Sequence, residues 1–345
     1  PMTRMRLGQQ FLLALLIVCL VGGCASSSFL SVRKTPRNPL EKPLQLLSWR
    51  GPKPTSRTAQ VLRRLDLEEL QARDPRQALM RLHQEIVAEP NPEKYHAFAE
   101  LAYIRGKRAE ARGDETTALS VYGAAVAHAY QFLFDARMTP NLNPYDPQFR
   151  EVCDLYNTSL EGALRILRTQ GKLQPGATVN YQYGKQNVAL RIEPQGRWHA
   201  EDFGRIEFVS DFQIEGLNNQ YHNFGLGVPL IAVRRQHDAE DPAEAYYAPN
   251  MTFPVTAFLR VAHGGTGAAS TESCVLELHD PRTSDTIHVA NRSIPLETDL
   301  STPLAYFLDS PGFRDTEVAT WGVLLPDSTK QVQGIYMLEP YDPRK

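Results

Sequence analysis

The sequence predicts an α+β protein in which a helical region precedes a mainly antiparallel β region. From residue 56 to about residue 170, apolar side chains recur every three or four positions, as they do on the face of a helix. After Gly171, short alternating runs lie between clusters of Gly, Pro, Asn and Asp, which is the pattern of antiparallel strands. At 345 residues the chain is long enough for about two domains. We divide the chain into a signal segment (1–23), a tether (24–55), a helical domain (56–171) and a β domain (172–345).

The composition excludes one class of partner and leaves the others open. The net charge is −2 and 22% of the residues are charged, with no cluster of bases along the chain. Proteins that bind nucleic acid neutralise phosphates with such clusters, so we expect no nucleic-acid partner.

The N-terminus has the pattern of an export signal. Arg4 and Arg6 precede an apolar run at residues 11–21, which is too short for a bilayer span of about 20 residues. The run leads into "LVGGCASSS", which resembles the bacterial lipoprotein signal. That resemblance implies cleavage after Gly23 and acylation of Cys24, since small residues admit a peptidase and the thiol supplies the nucleophile. The alternative is a plain secretory signal with a chance cysteine.

An acylated Cys24 makes the lipid bilayer a partner of the chain. Each buried methylene contributes about 0.8 kcal/mol, and two or more acyl chains make the anchoring stable. By the same resemblance, Ala25 in place of an aspartate favours the outer membrane over the inner membrane of a bacterial cell envelope.

Residues 24–55 are rich in serine and proline, which predicts an extended, semi-rigid tether that holds the folded body away from the bilayer. Trp49 and three leucines (Leu44, Leu46 and Leu47) interrupt it. We expect these four side chains to dock on the body; the alternative is that they rest at the membrane interface.

The helical region contains a hairpin and a motif similar to a known repeat. Apolar stripes on both sides of Gly113-Asp114 predict two paired helices, and a last helix should run over residues 150–168 and end at Gly171. The motif is similar to the tetratricopeptide repeat, although Arg105 and Ala109 stand where that repeat has larger apolar residues. Its positions are Gly106, Gly113, Ala118, Tyr122 and Ala125. A repeat-like domain implies a groove for a protein or peptide partner; a generic helical bundle is the alternative.

The β region contains nine strand-like runs and a single helical one, at residues 299–310. That pattern predicts an antiparallel β-sandwich or a curved sheet. The strand-like runs are VNYQY, VALRIEP, RIEFVSDFQI, VPLIAVRR, FPVTAFLRVA, CVLELHD, TIHVANRSI, WGVLLP and QGIYMLEP.

Catalytic and metal-binding patterns are missing from the sequence. There is no G-x-S-x-G elbow, and residues 263–265 ("HGG") lie in a glycine-rich stretch that reads as a hairpin loop. The pairs His237-Asp238 and His279-Asp280 lack the spacing of a metal site. We therefore predict no catalytic, cofactor-binding or metal-binding residue in this chain. Cys153 and Cys274 are expected to be buried free thiols, with a disulfide as the alternative.

Three long apolar stretches broken by prolines cover residues 222–235, 246–261 and 294–310. They read as core strands with protected edges; a docking face for another domain is the alternative. Together with residues 322–345 they resemble the N-terminal region of large bacterial lipoproteins in which a lipase- or esterase-like α/β-hydrolase domain follows. Residues 334–345 resemble the lead-in to the first strand of that hydrolase.

The resemblance implies a non-catalytic, membrane-tethered region that positions a hydrolase domain in cis, with the chemistry beyond Lys345. The alternative is a complete envelope lipoprotein that acts as a binding scaffold through its helical groove.

Overall fold

The computed structural model describes residues 28–311 and confirms the α+β class. The residues within that range that it does not describe are 136, 138–145, 184–185, 216, 218, 238–243, 245–246, 249, 262–271 and 290–291. The signal segment, Cys24 and residues 312–345 lie outside the described residues. So do the last two predicted strands, WGVLLP and QGIYMLEP.

Seven α-helices are present in the described part of the chain. They are α1 (Ser56–Arg64), α2 (Glu68–Arg73), α3 (Pro75–Ala88), α4 (Pro92–Glu110), α5 (Glu115–Phe134), α6 (Pro147–Thr169) and α7 (Ser301–Leu308). None of the described helices is both long and apolar enough to span a membrane.

The helix ends follow from local sequence. Asp74 accepts hydrogen bonds from the backbone N–H groups of Arg76 and Gln77, and a proline occupies the first turn of α3. Gly113 adopts a φ of +75°, and Asp114 then caps α5 through the N–H of Thr117. The predicted hairpin of α4 and α5 is therefore observed, with its turn where the Gly-Asp pair stands.

Tyr122 lies where α4, α5 and α6 meet, and two glycines make room for its ring. A Cβ built on Gly106 of α4 would lie 2.6 Å from Cδ1 of Tyr122, and one built on Gly162 of α6 would lie 2.8 Å from Cε2. The Tyr122 hydroxyl donates a hydrogen bond to Glu110, at 2.7 Å. The glycines thus let three helices approach one aromatic ring.

The described strands form one six-stranded sheet and three two-stranded pairs. The large sheet has the order β2-β3-β9-β8-β7-β4, in which only the β3–β9 pair is parallel. The small pairs are β1–β5, β6–β12 and β10–β11. The strands are β1 (Leu30–Val32), β2 (Thr178–Tyr183), β3 (Gln186–Gln195), β4 (Phe203–Phe208), β5 (Phe212–Ile214), β6 (His222–Asn223), β7 (Val228–Arg234), β8 (Thr252–Val261), β9 (Glu272–His279), β10 (Thr286–Val289), β11 (Arg292–Pro295) and β12 (Thr298–Asp299).

Other elements cover the large sheet. Thr252 and Thr256 of β8 donate hydroxyl hydrogen bonds to the carbonyls of Pro303 and Glu297, which brings α7 and β12 onto the sheet. The guanidinium of Arg165 on α6 lies 4.3 Å from the ring centroid of Phe208 on β4. Almost every residue of β7 and β8 is buried as a result, which explains their continuous apolar runs. The described residues do not confirm the predicted β-sandwich or the repeat-like hairpin.

The helical and β regions share one hydrophobic core. The rings of Tyr130, Phe134 and Tyr156 surround Phe258 of β8, with centroid distances of 6.3, 6.5 and 5.7 Å. The Tyr156 hydroxyl donates to the carbonyl of Leu259 and accepts from its N–H, at 2.7 and 2.9 Å. The predicted boundary at residue 171 marks a change of secondary structure within this shared core.

Residues 28–55 lie on the body, so this part of the predicted tether (24–55) is folded and not extended. β1 pairs with β5, and the side chains of Leu40 and Leu44 are buried. Burying the leucines and pairing the backbone outweigh the extended preference of the prolines. Leu47 and Trp49 differ from the expected docking, because both side chains are exposed.

Cys153 and Cys274 are free and buried, as expected.

Candidate functional site

The structure describes only some of the predicted site residues. Gly23, Cys24 and residues 263–265 lie outside the described residues, so the lipidation site stays a prediction. His237 contacts Asp202 at 3.1 Å and His279 contacts Glu277 at 3.0 Å. No group of three or more His, Cys, Asp or Glu residues suited to a metal ion occurs among the residues that the structure describes.

A groove runs between α3, α4 and α5, and we call it the helical groove. It encloses a cavity of about 440 Å³. Its lining residues are Arg76, Leu79, Met80, His83, Gln84, Phe98, Ala102, Arg105, Ser120, Val121 and Ala124. The small alanines of α4 and α5 open this space, so the groove follows from the same packing that joins the two helices.

Two histidines, the buried His128 and the exposed His83, support the floor of the helical groove. His128 stacks on Phe98 with ring centroids 3.6 Å apart, and its Nδ1 lies 2.8 Å from the carbonyl oxygen of Ala124. Nδ1 therefore carries the proton, and Nε2 accepts from Nδ1 of His83 at 3.2 Å. Burial lowers the pKa of His128 to about 3, so this side chain stays neutral.

Two arginines give the helical groove a positive end. Arg76 and Arg105 both line it, and neither forms an ion pair with a carboxylate of the described residues. Burial, followed by the repulsion of Arg76, lowers the pKa of Arg105. Asp74 and Asp114 act on Arg105 only at a distance, so two neighbouring cations that form no salt bridge favour an acidic ligand. In the sequence, Arg105 departs from the tetratricopeptide-repeat pattern; in the structure, its side chain lines the helical groove.

A second depression, the polar cleft, lies between residues 33–39, α6 and the loops before β7 and around β12. It encloses about 170 Å³. Its carboxylates are Asp154, Glu161, Glu297 and Asp299. Burial raises the pKa of Asp154, despite the Arg150 guanidinium 2.9 Å away.

Three of the four carboxylates of the polar cleft hold a neighbouring element, whereas Asp154 pairs with Arg150 of its own helix. Glu297 accepts from the N–H of Gly225 at 2.7 Å and contacts His222 at 3.1 Å. Asp299 caps α7, and Glu161 accepts from Ser210 and Arg165.

Among the described residues, no side chain of the polar cleft is arranged to act as a nucleophile. No described hydroxyl or thiol is hydrogen-bonded to His222. Burial raises the pKa of the Cys153 thiol to about 12, so this cysteine is no thiolate nucleophile. The described side chains of the cleft thus hold loops together and do not form a set of acid, base and nucleophile.

The two ends of the described chain meet at one carboxylate. Asp309, just after α7, accepts hydrogen bonds from the backbone N–H groups of Phe29 and Leu30, both at 2.9 Å, and from the Ser28 hydroxyl at 2.8 Å. These residues follow the predicted acylation site by four to six positions, and the chain continues from α7 into residues 312–345.

No protein-family model, curated protein or solved structure matches this chain.

Proposed function

We propose that this chain is the membrane-tethered, non-catalytic region of a cell-envelope lipase- or esterase-like α/β-hydrolase, and that it positions the catalytic domain at the membrane. Cys24 would carry the acyl chains, with the outer membrane as the favoured location, and the hydrolase would follow in cis. The finer fold belongs to this proposal: α4 and α5 as a repeat-like hairpin, and the β region as one layer of a sandwich-like arrangement.

The observation that carries the proposal is the junction at Asp309. Its carboxylate binds residues 28–30, so the chain leaving the membrane anchor and the chain leading on from α7 start at the same place on the body. A following domain would then be connected to the body beside the anchored segment. The occupied carboxylates of the polar cleft also support a positioning role, since they hold loops together.

The tethering half of the proposal is tested on the junction and the anchor together. Asp309→Ala should weaken the docking of residues 28–37, which the β1–β5 pair and the backbone bonds of Arg33 and Arg37 still hold. Trypsin should cut after Arg33 or Lys34 about ten times faster, because three hydrogen bonds to a charged acceptor are lost. Asp285→Ala, at another exposed loop carboxylate, is the control and should leave the cleavage rate unchanged.

In producing cells, an alkyne-tagged fatty acid should label the protein, and Cys24→Ala should abolish the label. Labelling that persists in the variant, or none in the natural protein, would refute the anchor.

A second candidate function is a peptide-binding scaffold, favoured by the two neighbouring arginines of the helical groove, neither of which forms a salt bridge with a described carboxylate. A photo-crosslinking amino acid at Met80, on the rim of the groove, should capture a partner in producing cells. The double charge reversal Arg76→Glu with Arg105→Glu should remove that adduct, since an acidic ligand would then be repelled. An adduct that survives the reversal, or no adduct at all, contradicts this function.

A further inference from the structure

A closed loop at residues 44–53, which we call the Trp49 loop, projects from the docked N-terminal segment. The N–H of Lys53 donates to the carbonyl of Leu44 at 2.9 Å, and the N–H of Gly51 donates to the carbonyl of Ser48 at 2.7 Å. Arg108 of α4 donates to the carbonyl of Pro52 at 2.8 Å, which fixes the loop to the helical region. The Trp49 loop therefore has a defined conformation.

The apolar side chains of the Trp49 loop divide into two sets. Leu44 is buried and Leu46 packs against the core, whereas Leu47 is 69% and Trp49 88% exposed. A tryptophan and a leucine two positions apart, both pointing away from a folded body, form a small apolar tip. Trp is enriched at the level of lipid headgroups, where its ring meets both apolar and polar surroundings.

The charges of the Trp49 loop have one sign. Arg50 and Lys53 are exposed, and residues 44–53 contain no acidic side chain. The Arg50 guanidinium lies 5.0 Å from the Trp49 ring centroid, so a positive charge accompanies the apolar tip. Basic side chains beside apolar ones suit the negatively charged surface of a bilayer.

We propose that the Trp49 loop is a second membrane contact, which inserts Leu47 and Trp49 into the headgroup region of an anionic lipid surface. This inference rests on the membrane location in the proposed function. The four residues from Cys24 to Ser28 span at most about 14 Å, so an acylated Cys24 holds the body close enough for a second contact. Two contacts fix the orientation of the body on the bilayer, which a single anchor does not.

The test measures whether bilayer lipid touches Trp49. The full chain, purified from producing cells, is reconstituted into vesicles of phosphatidylglycerol and phosphatidylcholine, with and without bromine on the acyl chains of the phosphatidylcholine. Subtracting the fluorescence of Trp49→Phe isolates Trp49 from the other two tryptophans. We expect bromine to reduce the Trp49 emission about two-fold, as for a ring at the interface. Unchanged emission overturns the inference.

The matched control moves the reporter to another exposed apolar site. In the Trp49→Phe background, Val87→Trp places the ring at a position that is 69% exposed. Val87 lies near Glu89, whose side chain binds Lys94 at the start of α4, and the Trp49 loop binds Arg108, fourteen residues or about 21 Å further along that helix. The Val87→Trp emission should not respond to bromine; equal quenching at both positions contradicts a specific contact.

Two further measurements test the preference for anionic lipid and the acylation of Cys24 separately from the contact of the Trp49 loop. Arg50→Glu with Lys53→Glu should abolish most of the Trp49 quenching in anionic vesicles, and quenching as strong in purely zwitterionic vesicles overturns the anionic preference. Mass spectrometry of Cys24 is read in parallel. Acylated Cys24 with unquenched Trp49 overturns the loop contact alone, whereas quenched Trp49 with unmodified Cys24 refutes only the proposed anchor.

Discussion

Replacing Gly106 with alanine should destabilise the helical region despite the higher helix propensity of alanine. The added Cβ would lie 2.6 Å from Cδ1 and 2.9 Å from Cζ of Tyr122, well inside van der Waals contact. The ring cannot slide away, because the backbone at Gly162 lies against its other edge. Overpacking costs about 1–3 kcal/mol or more, and the propensity gain returns up to about 1 kcal/mol. We expect a net loss of about 1–2 kcal/mol.

Thermal and urea unfolding of the Gly106→Ala protein measure this loss. The Tm should fall by roughly 1.5–3 °C, since a chain of this length has an unfolding entropy of about 0.7 kcal/mol/K. Gly123→Ala is the matched control, since a Cβ at Gly123 of the neighbouring helix meets nothing within 4 Å, and it should stabilise by up to about 1 kcal/mol. In a Tyr122→Ala background the cost of Gly106→Ala should vanish. Equal stability of Gly106→Ala and the natural protein would refute the packing argument.

Three further predictions follow from buried groups. Because burial lowers the pKa of His128 from 6.5 to about 3, the unfolded chain binds a proton at pH 5 that the folded protein does not. The unfolding free energy is full above pH 6.5 and falls by about 2 kcal/mol at pH 5. A urea midpoint that does not change between pH 7 and pH 5 in the natural protein, or changes as much in His128→Asn, contradicts this prediction. Tyr156→Phe leaves the buried N–H and C=O of Leu259 without their partner and should lower the unfolding free energy by about 2–4 kcal/mol. The control Tyr306→Phe, at the surface, should lower it by under about 0.5 kcal/mol. Equal unfolding free energies of the two variants would disprove this prediction. A thiol reagent should find Cys153 and Cys274 unreactive in the folded protein and two thiols per mature chain in denaturant, whereas a third thiol would show that Cys24 is not acylated.

Local patterns predict the helices well because caps and turns act over a few residues. Asp74 with the proline after it begins α3, and Gly113 with Asp114 forms the turn before α5. The short apolar runs of β7, β8 and β9 are equally local, and seven of the nine strand-like runs coincide with described strands.

These local patterns do not predict which segments pair when they are far apart in the sequence. The parallel contact of β3 with β9 and the docking of residues 28–55 join segments far apart in sequence. The proline-rich composition of the docked segment predicts an extended chain; the sequence does predict the docking of Leu44, but only the structure places Leu40 in the core.

The candidate sites depend on the same long-range packing. Arg105 reads as an exception to a repeat pattern until α3 brings Arg76 beside it. Asp309 is one of many surface carboxylates until residues 28–30 fold back onto it. A motif search has no signal for either, since each site is made by residues from different elements.

The central claim is that this chain belongs to a membrane-anchored hydrolase, and one gel of the producing cells tests it most directly. The cells are treated with a tagged fluorophosphonate, which labels activated serines, and probed with antibody against residues 174–345. The account predicts one membrane-bound band that carries the label and lies above 38.8 kDa by the mass of a further domain of about 200 residues. An unlabelled band at or just below 38.8 kDa would contradict it.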